Sequence, residues 1–304
     1  MLQAFKNTKI DFIRYQKVAF SVSILVILIG IISIVAHRGF NLSVDFVGGT
    51  TVQMKFQKPF HDDLTKIRNI IAELGFGSPE VKTIGQIANN ELQVTVGKQG
   101  EGDEVSNAIK SALVERYPEN SFEVRRVETV GPKIGGELKR DAIIATLLSL
   151  IAILVYVGFR FNLPFGVASV IPLFHDVMIT LTIFSLLNLE VSISFIAALL
   201  TIVGYSLNDT IVIFDRIREN LRGGLKGKSF GDLVNASINQ TLSRTFITSL
   251  TTLFVSFSIF LFGSDAIKDF ALALTVGVAV GTYSTIFIAT AILVNWHNKR
   301  PIVK

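Results

Sequence analysis

Cysteine is absent from this 304-residue chain. That excludes structural disulfides and thiolate metal sites, though it leaves the compartment open. Charge is scarce: 17% of residues are Asp, Glu, Lys or Arg, against about 25% in soluble domains. Tryptophan occurs once beside 24 phenylalanines, a balance that suits lipid-facing and helix-packing surfaces. The basic–aromatic interleaving that grips nucleic acid is missing, so the net charge of +5 calls for another explanation. No His/Asp/Glu constellation stands at catalytic or metal-ligand spacing in the polar part of the chain, and no metal or cofactor is expected. What is abundant is apolar sequence. Half of the residues are hydrophobic and the mean hydropathy is +0.53, which points to an integral membrane protein rather than a soluble one.

The apolar residues fall into six runs. Val18–Ala36 follows a basic segment, residues 1–17, but is longer than a signal h-region of about 7–15 residues, and His37-Arg38-Gly39-Phe40 is no small-residue cleavage site. It reads as a retained first membrane helix. The others are Ala142–Phe159, Phe165–Leu187, Val191–Phe214, Phe246–Phe262 and Phe270–Trp296, each of about membrane-spanning length. Basic residues then set the topology. Lys6, Lys9, Arg14, Lys17, Arg160, Arg216, Arg218, Arg222, Lys226, Lys228, Arg244, Lys299, Arg300 and Lys304 are expected on one side. The two short opposite loops contribute only Lys268, even allowing for Arg38, Lys139 and Arg140 beside the first two spans. Both termini (1–17 and 297–304) and the loop 215–245 are therefore expected in the cytoplasm, with residues 37–140 outside. Within that loop, Arg222–Lys228 reads as a basic turn and Phe230–Leu242 as an amphipathic helix on the membrane surface.

Residues 37–140 form the one long polar block. Thr50–Phe56 alternates like a strand, Phe60–Leu74 has helical spacing, and Val81–Ile84 and Glu91–Val96 read as strands. A second helix, Asp103–Tyr117, and a last strand, Phe122–Val130, complete a β-α-β-β-α-β order that predicts a ferredoxin-like domain. His61-Asp62-Asp63 reads as a helix start. Two glycine motifs bracket the block: Asp45-Phe46-Val47-Gly48-Gly49-Thr50, and Val130-Gly131-Pro132-Lys133-Ile134-Gly135-Gly136-Glu137-Leu138. Glycine permits positive φ and proline stiffens a turn, so the motifs are expected to fix how the domain leaves the bilayer. Neither Gly-Gly pair has the Lys-Ser/Thr or GxGxxG context of a phosphate loop.

Asp209 is the residue around which the rest is organised. It sits in an apolar run, where a carboxylate costs roughly 2.5–3.5 kcal/mol on insertion scales and is by default a functional candidate with a partner to be found. Helical spacing places Tyr205, Asn208, Asp209 and Val212 on one face, and Gly204 and Ser206 would let another helix come close. Thr241, Arg244, Thr245, Thr248 and Thr252 repeat at three and four residues as a hydroxyl stripe, joined by Ser249 and Ser256. Gly277-Val-Ala-Val-Gly281 is a GxxxG packing face, followed by Thr282, Tyr283 and Ser284. His175 and Asp176 follow Pro172. One reading is a polar seam that hydrates and carries protons, with Asp209 titrating. A movement alternating a desolvated and an Arg244-paired environment for that acid would couple proton passage to conformational change. The other reading makes the hydroxyls ordinary interhelical hydrogen bonders, worth about 0.6 kcal/mol each, and puts His175 and Asp176 near a helix end where charge is cheap.

These residues together resemble the SecF side of the SecD/SecF family of bacterial protein export, within the RND transporter superfamily. The resemblance covers essentially the whole chain. It rests on Asp45–Thr50, Val130–Leu138, Gly204-Tyr-Ser-Leu-Asn-Asp-Thr210 running into Phe214–Asn220, and Ser243-Arg-Thr245. It implies six helices with one outer domain between the first two, a separate SecD partner, and association with the SecYEG channel on the pathway where SecA pushes unfolded chains. It also implies use of the proton gradient rather than covalent catalysis. Carried onto this sequence, Asp209 is the proton-handling carboxylate and Arg244 its cytoplasmic-side counter-charge. Two rivals stay open: half of a small-molecule or lipid exporter, and a passive scaffold for the channel.

Overall fold

The computed structural model describes residues 8–60, 63–76, 79–84, 90–97, 102–225, 227–263 and 265–302. Backbone contacts divide the chain into two units, one running to Asn41 and resuming at Ala145, the other Leu42–Ile144.

The first long helix, α1 (Gln16–Ala36), belongs to the discontinuous unit. The Leu42–Ile144 unit then takes up α2 (Val44–Val47), β1 (Gly49–Phe56), α3 (Leu64–Ala72), β2 (Glu80–Ile84), β3 (Glu91–Val96), α4 (Gly102–Arg116) and β4 (Phe122–Val130). The strands form one sheet in the order β2-β3-β1-β4, with every neighbouring pair antiparallel. Period-two alternation puts Val52, Met54 and Phe56 of β1 beside Leu92, Val94 and Val96 of β3 on one buried face. Ile67, Ile70 and Ile71 of α3 and Val105, Ile109 and Leu113 of α4 join the same core. The opposite face carries a Thr51–Thr95 hydroxyl contact and a Gln53–Gln93 amide bond, as expected for an antiparallel sheet with one polar side. His61 and Asp62 lie outside the described residues. Asp63 does precede α3, but its side chain caps nothing there; it accepts the Tyr117 hydroxyl at 2.6 Å instead.

The two glycine motifs meet. Ser43 caps α2, after which Gly48 and Gly49 take φ of 75° and 133°, conformations that favour glycine. A Cβ on Gly49 would lie 2.5 Å from the Val96 carbonyl oxygen. The second motif is not a turn, which corrects the sequence expectation. From Pro132 onward it is helix, because proline suits a first helical position, and α5 runs unbroken over Pro132–Arg160. Gly135 in that first stretch faces the backbone of the other motif: a Cβ there would stand 3.2 Å from Gly48 N and 3.4 Å from Asp45 O. The Gly131 carbonyl accepts the Gly135 amide in the opening turn.

The other unit holds α1, α6 (Leu163–Leu186), α7 (Ile193–Arg222), α8 (Phe230–Phe262) and α9 (Asp265–Ser284). α9 passes through a π-helical turn, Thr285–Ala289, into α10 (Thr290–Lys299). With α5, six helical stretches among the described residues are long and apolar enough to cross a membrane. Close approach is made by small residues. A Cβ on Gly30 of α1 would overlap Thr182 of α6, and one on Gly277 of α9 would overlap Ile202 of α7. α7 continues past the apolar run expected to end at Phe214, up to Arg222.

The amphipathic surface helix expected over Phe230–Leu242 is instead the first half of α8, continuous with the span at Phe246–Phe262. Ser229 and Asp232 close a capping box at its start. Phe230, Val234 and Ile238 pack in one core with Phe165, Phe214 and Leu293. Its polar side is occupied as well: Asn239 brackets the Ile10 backbone, while Asn235 accepts the Ile13 amide and donates to Asp11. Neither face is left for a membrane surface.

Ile67 is fully enclosed in the sheet–helix core, so Ile67→Ala is expected to cost about 2–5 kcal/mol, seen as earlier proteolysis of residues 42–144 in the intact protein. Burial, helped by the hydrogen bond to Asp63, pushes the Tyr117 phenol up to about 12 from 10.0. The fold therefore favours the neutral phenol, a contribution complete below pH 10 and lost as pH climbs through 12. Alkaline melting curves should lose less stability across that window in Tyr117→Phe than in the parent.

Candidate functional site

Among the described residues of the helical unit, two buried carboxylates lie in mid-helix. Asp176 lies roughly 20 Å along α6 from Leu163, and Asp209 roughly 24 Å along α7 from Ile193, at 1.5 Å per residue. Asp176 and His175 are thus not near a helix end, contrary to one of the two sequence readings: Pro172 sits inside α6 without terminating it. Asp176 has no exposed surface. Its Oδ2 accepts Ser206 Oγ of α7 at 2.6 Å and Ser284 Oγ of α9 at 2.8 Å. Its Oδ1 meets His175 Nδ1 at 2.9 Å. The other ring nitrogen, Nε2, meets Ser23 Oγ of α1 at 2.8 Å. Tyr283 of α9 donates to the Ala19 carbonyl at 2.9 Å and has its oxygen 3.3 Å from Ser23 Oγ. One acid thereby draws hydroxyls from three other helices into contact with α6 or its histidine.

Asp209 is 3% exposed and accepts Ser249 Oγ of α8 at 3.1 Å. Thr282 of α9 donates to that same serine oxygen at 2.7 Å. Arg244 is exposed and makes no direct ion pair with Asp209, yet it is close enough to act on the acid through space. Thr210, beside Asp209, contacts Thr285 in the π-helical turn at 3.1 Å.

The expected face of α7 is redrawn. Asn208 is exposed while Asp209 is buried, because adjacent helical residues point about 100° apart. The inward face is Ile202, Ser206, Asp209 and Ile213. Gly204 is exposed with nothing within 4 Å of a built Cβ, so the close approach to α7 comes at Ile202 and Ser206, opposite Gly277 and Gly281. Tyr205 is half-buried, and its enclosed hydroxyl meets no protein partner. The hydroxyl stripe of α8 also splits. Thr248 and Thr252 bond back to their own helix, to the carbonyls of Arg244 and Thr248. Ser249 reaches Asp209, and Thr245 is buried with its hydroxyl unpartnered. Ser23 escaped the sequence reading. It is one of three serines in the first apolar run, with Ser21 and Ser33, and its partner is distant in the chain.

Fold and site define the class: a polytopic helical membrane protein whose bundle encloses two acids among hydroxyls contributed by neighbouring helices. The family follows from comparison with known proteins. Residues 109–299 match the family model "Protein export membrane protein SecD/SecF, C-terminal", and residues 33–60 match the "SecD/SecF GG Motif". The protein translocase subunit SecF of Calditerrivibrio nitroreducens is 43% identical over 96% of this chain and 96% of its own. That of Vibrio alginolyticus is 45% identical over 96% of this chain and 91% of its own. Among solved structures, SecDF of Thermus thermophilus, described as a translocon-associated membrane protein, superposes with a TM-score of 0.85 at 40% identity over 96% of this chain. A SecDF structure in a super-membrane-facing form gives 0.70 at 39% identity over 97%. This chain spans 39% and 40% of those two longer chains. It belongs to the SecD/SecF family of protein-export membrane proteins, with the SecF translocase subunits.

Ser206→Ala removes a buried hydrogen bond to Asp176 and is expected to lower thermal stability in detergent by about 0.6–2 kcal/mol. Asn208→Ala, on the outward side of the same helix, should leave it within about 0.5 kcal/mol of the parent.

Proposed function

We propose that this chain acts with a separate SecD partner as a proton-driven accessory subunit of the Sec export translocase, promoting late steps of protein translocation. The observation that carries this reading is Asp209, an acid in the middle of a membrane helix with a serine donor and an exposed cation, Arg244, nearby. An acid held by one neutral donor can exchange its proton at less cost than one locked in an ion pair. In this reading Asp209 takes and releases the proton, Arg244 supplies the alternate counter-charge, and Tyr205, Thr245 and Ser249 line the way to it. Hydroxyls without protein partners, such as those of Tyr205 and Thr245, suit a path that carries water.

The Leu42–Ile144 unit is the extracytoplasmic domain of this scheme. Its β-α-β-β-α-β order and β2-β3-β1-β4 sheet support a ferredoxin-like assignment. It would handle the unfolded polypeptide as it emerges from SecYEG, after SecA has acted. Both termini lie in the cytoplasm, as the basic flanks imply, and the membrane is the bacterial inner membrane. The longer SecDF chain to which this one is similar supports a SecD partner for it.

Asp209→Asn, expressed in cells depleted of the native subunit, is expected to insert and retain its SecD partner while export of secreted proteins slows at least about tenfold. Normal export by that variant would favour a passive scaffold. Altered drug or lipid tolerance with intact export would favour a small-molecule exporter half.

A further inference from the structure

Asp176 is more enclosed than Asp209, and the proton pathway just described does not use it. Both of its oxygens are engaged, by groups on α6, α7 and α9. What distinguishes it from a merely well-satisfied acid is the histidine beside it. His175 is 8% exposed and is held at both ring nitrogens, by Asp176 Oδ1 and Ser23 Oγ. A neutral imidazole donates from one nitrogen and accepts at the other, so a ring pinned between an acid and a hydroxyl is a two-ended proton conduit. Ser206 and Ser284 both donate to Oδ2, which leaves Oδ1 as the oxygen addressed by the ring. Among the described residues, the titratable groups that face His175 are Asp176 on its own helix and Tyr283 of α9, whose ring lies 6.0 Å away. α1 and α7 bring the neutral hydroxyls of Ser23 and Ser206, and Asp209 stands three residues beyond Ser206 on α7.

We propose that Asp176 and His175 form a second proton-binding centre, separate from Asp209, which is loaded through Ser23 and alters how α1 is held. In the unloaded state the Nδ1–H of His175 donates to the Asp176 carboxylate, while Nε2 accepts the Ser23 hydroxyl. Ser23 passes its hydroxyl proton to Nε2 and takes up one in exchange, and the Nδ1 proton crosses to Asp176 Oδ1. One proton is gained and one moves within the pair. The ring ends neutral in its opposite tautomer, and the acid ends protonated. Nε2–H now donates to Ser23 Oγ, so the Ser23 hydrogen turns to another acceptor, and the Tyr283 oxygen is in reach at 3.3 Å. Loading therefore rewires the contact between α1 and α9, next to the π-helical turn that begins at Thr285. Such turns recur at functional sites within helices. α1 is also the helix that leads, in the chain, into the Leu42–Ile144 unit. The proton comes from the gradient, so this assignment rests on the proton-driven reading above.

The test is acid-induced infrared difference spectroscopy on the full chain reconstituted with its SecD partner in liposomes. Asp176→Asn is expected to remove a carboxylic-acid C=O band that Asp209→Asn retains. His175→Gln, which keeps a hydrogen bond but cannot pass a proton through a ring, should slow the appearance of that band at least about tenfold. Should Asp176→Asn fail to assemble, Ser23→Ala serves instead, with a slower band of full final amplitude. The proposal is overturned if Asp176→Asn removes no band, if Asp209→Asn removes the same one, or if neither His175→Gln nor Ser23→Ala changes the rate. Export measured in parallel separates the two readings. Normal export in Asp209→Asn with the Asp176 band present sinks the gradient-driven function but leaves the site standing. Lost export in Asp209→Asn with no Asp176 band does the reverse.

Discussion

A carboxylate with no access to water needs donors, and the Asp176 site shows how far a bundle will be organised to supply them. Its oxygens take hydroxyls from α7 and α9 and a ring nitrogen from α6, and that ring is anchored in turn on α1. Each donor favours one helix rotation, since a serine turned away would leave a buried acid with one donor fewer and no water to replace it. The small residues of the interface follow from the same constraint. Gly281 stands where a Cβ would come within 3.1 Å of Ser206 and 3.6 Å of Asp176, so glycine there lets α9 approach closely enough for Ser284 to reach the acid.

Asp209 is supported differently, by a serine that is itself held by Thr282. The contrast between the two acids is one of degree of satisfaction. A fully engaged carboxylate stiffens its surroundings, while one with a single donor constrains them less. The two sites nonetheless share α7, where Ser206 serves one acid and the next turn carries the other.

Away from the acids, the bundle is closed at its α10 end by aromatic packing together with polar bonds such as those of Asn220 to Ser237 and Gln240. Phe165 and Phe214 meet edge to face at 5.3 Å, and Phe230 stacks on His297 at 4.1 Å. α7 reaches this cluster at Phe214 and its extension adds Ile217 to the same core, while the early start of α8 brings Phe230. The charged residues past Phe214 do not end α7, because they find partners along and beside it: Asp215 pairs with Arg160, and Arg216 bonds Glu219 and Gln240.

The sequence by itself determined the number of candidate membrane helices and the strand-and-helix order of the polar block, and it singled out Asp209 as an acid within an apolar run. Those features are written in local periodicity and in the cost of charge within apolar runs. Glu91–Val96 and Phe122–Val130 were legible to the residue: the first alternates strictly, and the second is bounded by Pro118–Ser121 and Gly131-Pro132, breaks that leave little freedom in placing a strand. Where helices continue was less legible: polar residues at 215–222 and 235–239 look like a loop or surface helix until one knows what they touch, and Asn235 and Asn239 touch residues 10–13. The site depended most on tertiary structure. Ser23 and His175 are 152 residues apart, and no spacing rule relates them. Only the crossing of α1 over α6 decides that a serine in an apolar run completes the surroundings of a buried histidine, just as only the rotation of α7 decides that Asp209 turns inward and Asn208 out.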